Sequence, residues 1–137
     1  MITNDGHFLH IDFGHFLGNF KSKFGVRRER TPFVLTRAMV EVFGGEKDPR
    51  FGEFVSLCQR AFLILRKHAT LLITCFTLML SCGIPELRKR SDIFWLRDHL
   101  FLDKTEKEAA VELEKIIRKC LHSAAPRVND AIHIAAH

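Results

Sequence analysis

The sequence predicts a mainly α-helical domain that begins with a short β-hairpin, and three stretches carry that expectation. Phe51, Phe54, Val55, Cys58, Ala61, Phe62 and Leu65 recur at helical spacing. That places them on one face of a helix of roughly five turns. Residues 69–82 are uncharged and apolar on every side, the pattern of a helix at the centre of a packed unit. Near the N-terminus, Asn4-Asp5-Gly6 separates two apolar-rich runs; Asp-Gly is a strong hairpin signal because it tolerates positive φ. Composition agrees: 137 residues, 47% hydrophobic and 27% charged, suffice for one compact domain and argue against disorder.

In chain order, Met1–Thr3 and His7–Asp12 form the hairpin arms, and residues 15–32 a loop. Pro32-Phe33-Val34-Leu35 is extended. Thr36 can cap a short helix to about Phe43, which Gly44-Gly45 stops. Glu46–Arg50 is a polar connector before the long helix, and Gly83-Ile84-Pro85 ends the apolar one. Ser91 or Asp92 can cap a helix to about His99. Asp103-Lys104-Thr105-Glu106 resembles a capping box with Asp in the cap position. The helix that follows carries Ala109, Leu113, Ile116, Ile117, Cys120 and Leu121 on one face, with Glu and Lys alternating on the other. Such stripes support a core and carry no chemistry.

Cys58, Cys75, Cys82 and Cys120 form no Cys-x-x-Cys pair and lie in apolar stretches. Buried free thiols in a reducing compartment are expected, and their spacing with the histidines supports no zinc site. The apolar run at 69–82 is bounded by Arg66, Lys67 and His68 and is shorter than the roughly 20 residues a spanning helix needs. With no signal peptide visible, the sequence reads as soluble or peripheral.

The chemistry concentrates in His10–Arg30, HIDFGHFLGNFKSKFGVRRER. Residues 21–30 hold five cations (Lys21, Lys23, Arg27, Arg28, Arg30) against Glu29, a net +4, while the whole chain carries +5. The positive field therefore comes from one short segment. Unpaired cations at that density stay in water and attract something polyanionic. Lys-x-Lys and Arg-Arg-x-Arg, separated by Phe24-Gly25, offer two cationic arms that can straddle one multiply phosphorylated group. On charge alone, nucleic-acid backbone and anionic lipid are both admissible. Upstream, Asp12-Phe13-Gly14 follows an apolar strand. A carboxylate there suits Mg²⁺, which takes one or two carboxylates plus substrate phosphates. His15 follows directly, and an imidazole is the side chain suited to handling a proton near neutral pH.

Taken as a whole, HIDFGHFLGNFKSKFGVRRERTPFVLT closely resembles the activation segment of class I phosphoinositide 3-kinases. FLILRKHATLLITCFTLML, GIPEL and LFLDKTEKEA resemble successive helices of that family's C-terminal kinase lobe, so the likeness runs from residue 1 to about 122. It implies a partial kinase domain over 1–137: hairpin and Asp-Phe-Gly at 1–14, activation segment at 15–32, helical lobe at 33–123, tail at 124–137. It implies that Asp12 holds the metal, that Ile11, Asp12 and Phe13 contact ATP, and that His15 assists transfer to the inositol 3-hydroxyl. Lys21 and Lys23 match one basic box, and Arg27, Arg28 and Arg30 the second. Enzymes restricted to unphosphorylated phosphatidylinositol lack this double pattern, so phosphatidylinositol 4,5-bisphosphate is the implied substrate.

The resemblance further implies ATP and Mg²⁺ as cofactors, the N-lobe of the same enzyme and a regulatory subunit as partners, and a cytoplasmic protein recruited peripherally to the plasma membrane. No nucleotide-covering Gly-rich loop, ATP-positioning lysine or Asp-Arg-His-x-x-Asn catalytic loop occurs in these 137 residues; by itself the chain is expected not to transfer phosphate. A non-catalytic module binding anionic lipid, or an inactive truncated fragment, is the alternative. A protein kinase lobe is disfavoured because no Ala-Pro-Glu follows Gly14, and nucleic-acid binding because no aromatic platform accompanies the charge. In the tail, Val128-Asn129 is followed by Asp130 where the family has an aromatic residue, which weakens insertion into a lipid interface.

Overall fold

Thr36 begins the helical body: its side chain accepts the amide of Met39 at 3.2 Å and starts α1, Arg37–Glu41. Gly44 and Gly45, both at positive φ, then turn the chain back. A computed structural model describes residues 17, 22–23, 26–27, 32–84 and 86–123, and these are mainly helical. The second helix, α2, spans Pro49–Lys67. It starts inside the stretch expected to be connector, because proline's fixed φ suits a first helical turn. Asp48 caps it, accepting the Arg50 amide at 2.9 Å.

The chain breaks at His68 and bends by 61° into α3, Ala69–Leu78, which tightens into a 3₁₀ turn at Met79–Ser81. No single described helix is long and apolar enough to cross a membrane; only this bent pair passes by length and composition. α4 spans Arg90–His99. Neither Ser91 nor Asp92 is its cap: Asp92 lies one turn inside and its carboxylate accepts the amides of Arg88 and Lys89 at 3.0 and 2.9 Å.

α5, Glu106–Leu121, is capped by Thr105 and not by Asp103. The Thr105 hydroxyl accepts the Glu108 amide at 3.3 Å, while the Glu108 carboxylate accepts the Thr105 amide at 2.9 Å. The box is therefore Thr-x-x-Glu, shifted two residues from the expected one. Phe101 explains the shift: it sits at φ +50, and the turn it makes occupies residues 101–104.

Two hydrophobic clusters organise the body. In the first, Leu35, Val40, Phe51 and Val55 meet Ile117, Cys120 and Leu121 across the α2/α5 pair. Phe43 stacks on Phe54 at 5.1 Å beside it. In the second, Leu17, Leu87 and Ile93 pack with Ile73, Phe76, Leu80, Trp95 and Leu96 between α3 and α4.

Three expectations are corrected here. The apolar face of α2 is buried only in its first half. Gln59 reaches the Ala110 carbonyl near the start of α5, so beyond that level α5 no longer covers it, and Ala61 and Leu65 are exposed. Among the described residues α3 packs on one face alone, and Leu71 and Leu78 are exposed. All four cysteines are free, but only Cys120 is buried and Cys58 half-buried; Cys75 and Cys82 are exposed. The N-terminal hairpin and the tail from 124 lie outside the described residues.

Candidate functional site

The basic segment is strung between the two clusters. Leu17, 6% exposed, inserts into the α3/α4 cluster, and Leu35, 7% exposed, into the α2/α5 cluster. Leu17 does so at φ +55. A branched residue in the left-handed region costs roughly 1–2 kcal/mol, and burial of the leucine side chain, worth about 1.5–3 kcal/mol, offsets it. At the far end Phe33 bonds through its backbone to the Cys120 thiol. Burial pushes that thiol up from its ordinary value, and the Phe33 bond opposes the shift only in part. Cys120 is thus a packing group that fastens the exit of the segment to α5.

Between these anchors the chain pairs with itself. β1, Ser22–Lys23, and β2, Val26–Arg27, are antiparallel, with Ser22 opposite Arg27 and Lys23 opposite Val26. Residues 15–32 were expected to be loop; the described residues 22–23 and 26–27 instead pair as short antiparallel strands. Lys23 belongs to the first basic box and Arg27 to the second, and the register sets their backbones one step apart across the pair. Antiparallel partners lie about 4.5–5.5 Å apart between Cα atoms. Lys23 and Arg27, one residue from each box, therefore sit at neighbouring positions of the paired strands.

Ile11, Asp12, Phe13, His15, Lys21, Arg28 and Arg30 lie outside the described residues. Among the described residues no group of three His, Cys, Asp or Glu side chains could hold a metal ion. The anchors Leu17 and Leu35 escape sequence reasoning, since a lone leucine in a polar segment belongs to no periodic pattern.

The support around the segment's exit is electrostatic as well as apolar. Arg118 on α5 bonds Glu114 at 2.8 Å and, across the fold, Glu46 at 3.0 Å. Those partners, Glu114 first, raise its pKa further. Its guanidinium also lies 5.9 Å from the centre of the Phe51 ring. His122 reaches the other Glu46 oxygen at 3.3 Å. The turn after α1 is thereby tied to the end of α5, which steadies the platform from which Leu35 departs.

Comparison with known proteins gives concordant findings. The family model described as phosphatidylinositol 3- and 4-kinase matches residues 1–89. Over all 137 residues the chain is 50% identical to phosphatidylinositol 3-kinase 3 of Dictyostelium discoideum, of whose length it spans 8%. It is 47% identical to phosphatidylinositol 3-kinase 2 and 39% identical to phosphatidylinositol 3-kinase 1 of the same organism, spanning 7% and 9% of their lengths.

Proposed function

The chain belongs to the phosphatidylinositol 3- and 4-kinase family, and from that premise we propose that it forms the activation segment and C-terminal lobe of a phosphoinositide 3-kinase. The whole enzyme transfers the γ-phosphate of ATP to the inositol 3-hydroxyl of phosphatidylinositol 4,5-bisphosphate. The observation that carries this reading is the doubly anchored basic segment, in which Lys23 of the Lys21/Lys23 box and Arg27 of the Arg27/Arg28/Arg30 box lie on paired strands. One box on each arm suits a headgroup with two phosphates: arginine forks grip phosphate bidentately, while lysine acts as a mobile point charge.

Ile11, Asp12 and Phe13 belong to the nucleotide side of this site. A single carboxylate at Asp12 is an ordinary donor for Mg²⁺ when substrate phosphates complete the shell. Asp12 would hold that ion, whose chemistry is to neutralise charge between the terminal phosphates. His15, three residues on, is placed in sequence to take the proton of the attacking hydroxyl. The basic boxes orient the headgroup, so most of the rate comes from positioning and charge stabilisation. The same reading has the enzyme working from the cytoplasm at the plasma membrane, alongside its N-lobe and a regulatory subunit. The 137-residue segment alone lacks a phosphate-covering loop and is expected to be inactive.

The test uses the full-length protein with lipid vesicles. Asp12→Ala abolishes transfer and leaves vesicle binding unchanged. Replacing Lys21, Lys23, Arg27, Arg28 and Arg30 by alanine removes turnover of the bisphosphate lipid and spares that of phosphatidylinositol. Undiminished bisphosphate turnover in the second variant refutes the headgroup assignment. Transfer surviving in the first refutes the role given to Asp12, and a parent protein that binds vesicles without any transfer leaves a module that only binds anionic lipid.

A further inference from the structure

Three cations stand together at Arg88-Lys89-Arg90, the one uninterrupted run of three Lys or Arg in the sequence. All three are exposed, and among the described residues no carboxylate pairs with their side chains. The Asp92 carboxylate, two residues past the run, instead accepts the backbone amides of Arg88 and Lys89. The run opens α4, where the helix dipole disfavours positive charge, so the helix gains no stability from it. Along α4, Phe94 and Arg97 follow Arg90 at i+4 and i+7, on one face. Ile93, Trp95 and Leu96 pack with the α3/α4 cluster, while Phe94 is 59% exposed and Arg97 is exposed beside it. Against these cations the face exposes Asp98 at its far end.

An exposed aromatic alone is ordinary; one bracketed by cations on a helix face has the composition of a surface that lies against anionic lipid. Position supports the same occupant. The run leaves directly from Leu87, which is fully buried and shares the α3/α4 cluster with Leu17, the entry anchor of the basic segment. We propose that Arg88, Lys89, Arg90, Phe94 and Arg97 form a second lipid-contacting surface, which docks on an anionic bilayer through lipids that are not the substrate. The inference rests on the proposed function: a segment that takes a headgroup from a bilayer brings the chain beside its anchor to that bilayer. Each Lys or Arg close to an anionic leaflet strengthens binding roughly fivefold, and salt screens the attraction beyond about 10 Å.

The test uses the full-length protein and two vesicle types free of phosphoinositide: phosphatidylcholine alone, and phosphatidylcholine with phosphatidylserine. Replacing Arg88, Lys89 and Arg90 together by glutamine weakens sedimentation with the phosphatidylserine vesicles at least tenfold and leaves residual binding to phosphatidylcholine unchanged. Phe94→Ser, which keeps the charge, weakens the phosphatidylserine binding at least threefold. Both variants turn over short-chain, monomeric phosphatidylinositol 4,5-bisphosphate as the parent does. In the parent, acetylation of the Lys89 amine is fast without lipid and slows with the phosphatidylserine vesicles. Phosphatidylserine binding within twofold of the parent in either variant overturns the proposal, as does an equal loss on phosphatidylcholine from the triple substitution. Acetylation already slow in lipid-free protein means that a protein surface covers the patch, and that too overturns it. So does a loss of monomeric-substrate turnover, which would move these residues into the catalytic site or the fold. An active parent whose vesicle binding ignores both variants refutes this surface and leaves the functional reading standing; a parent without transfer sinks the functional reading by a separate assay.

Discussion

Replacing Arg66 by alanine tests how the end of α2 holds the turn that follows α4. The Arg66 guanidinium donates to the carbonyls of Leu100, Phe101 and Lys104 at 2.9, 2.7 and 2.7 Å. Two of these follow the last turn of α4, where carbonyls lack helical partners and a cation is favourable. The third stabilises a turn whose Phe101 sits at φ +50. A hydrogen bond to a charged group contributes about 1.5–3 kcal/mol, and bonds sharing one side chain do not add. Leu100 is buried, so its carbonyl has little water to fall back on. A loss of about 3 kcal/mol follows for Arg66→Ala, roughly a hundredfold in local opening. The assay is hydrogen–deuterium exchange at the amides of Phe101 and Lys104, which bond the carbonyls of Asp98 and Phe101. Arg66→Lys keeps the charge but loses the fork, and it also removes the buried Nε that has no partner. It should cost about 1 kcal/mol, the net worth of one lost hydrogen bond. Exchange of both amides within twofold of the parent in Arg66→Ala would refute the reasoning.

Three further outcomes are expected. Gly44→Ala should destabilise by about 1–2 kcal/mol, because the position has φ +91 and a Cβ would run into the Asp48 carboxylate and the Arg50 guanidinium; Gly52→Ala, in the open on α2, should stabilise by about 0.5–1 kcal/mol, and thermal unfolding compares the two. Asp48 has its pKa lowered from 3.8 to about 2, first by the Arg50 side chain and then by the Arg50 amide. A lowered folded value means its stabilisation is complete above about 3.8 and is lost as pH falls toward about 2; Asp48→Asn should flatten that part of the pH–stability curve. Thr105→Ala should cost about 1 kcal/mol through loss of the α5 cap, and Asp103→Ala close to nothing. Equal losses in helicity and melting temperature from these two would return the cap to Asp103.

The sequence by itself determined the fold class, the number and rough span of the main helices, and the segment where the chemistry concentrates. It could do so because those properties are local. Periodicity set the α5 face, and Ala109, Ile117, Cys120 and Leu121 are buried as the spacing required. Thr36 and the two glycines bracket α1 by their own conformational preferences. Charge density marked residues 21–30, and length and order marked the family, without reference to any contact. Only the tertiary structure decided where burial stops. α2 and α3 have apolar patterns that promise cover along their whole length, but a pattern cannot say how far a neighbour extends. The level of Gln59 against Ala110 ends the cover on α2, and α3 finds α4 on one side alone. Tertiary structure also chose between two adjacent capping signals, because the turn at Phe101 moves the helix start to Thr105. It made Leu17 and Leu35 the anchors of the basic segment, since an isolated leucine acquires a role only when two distant helices leave a gap its size.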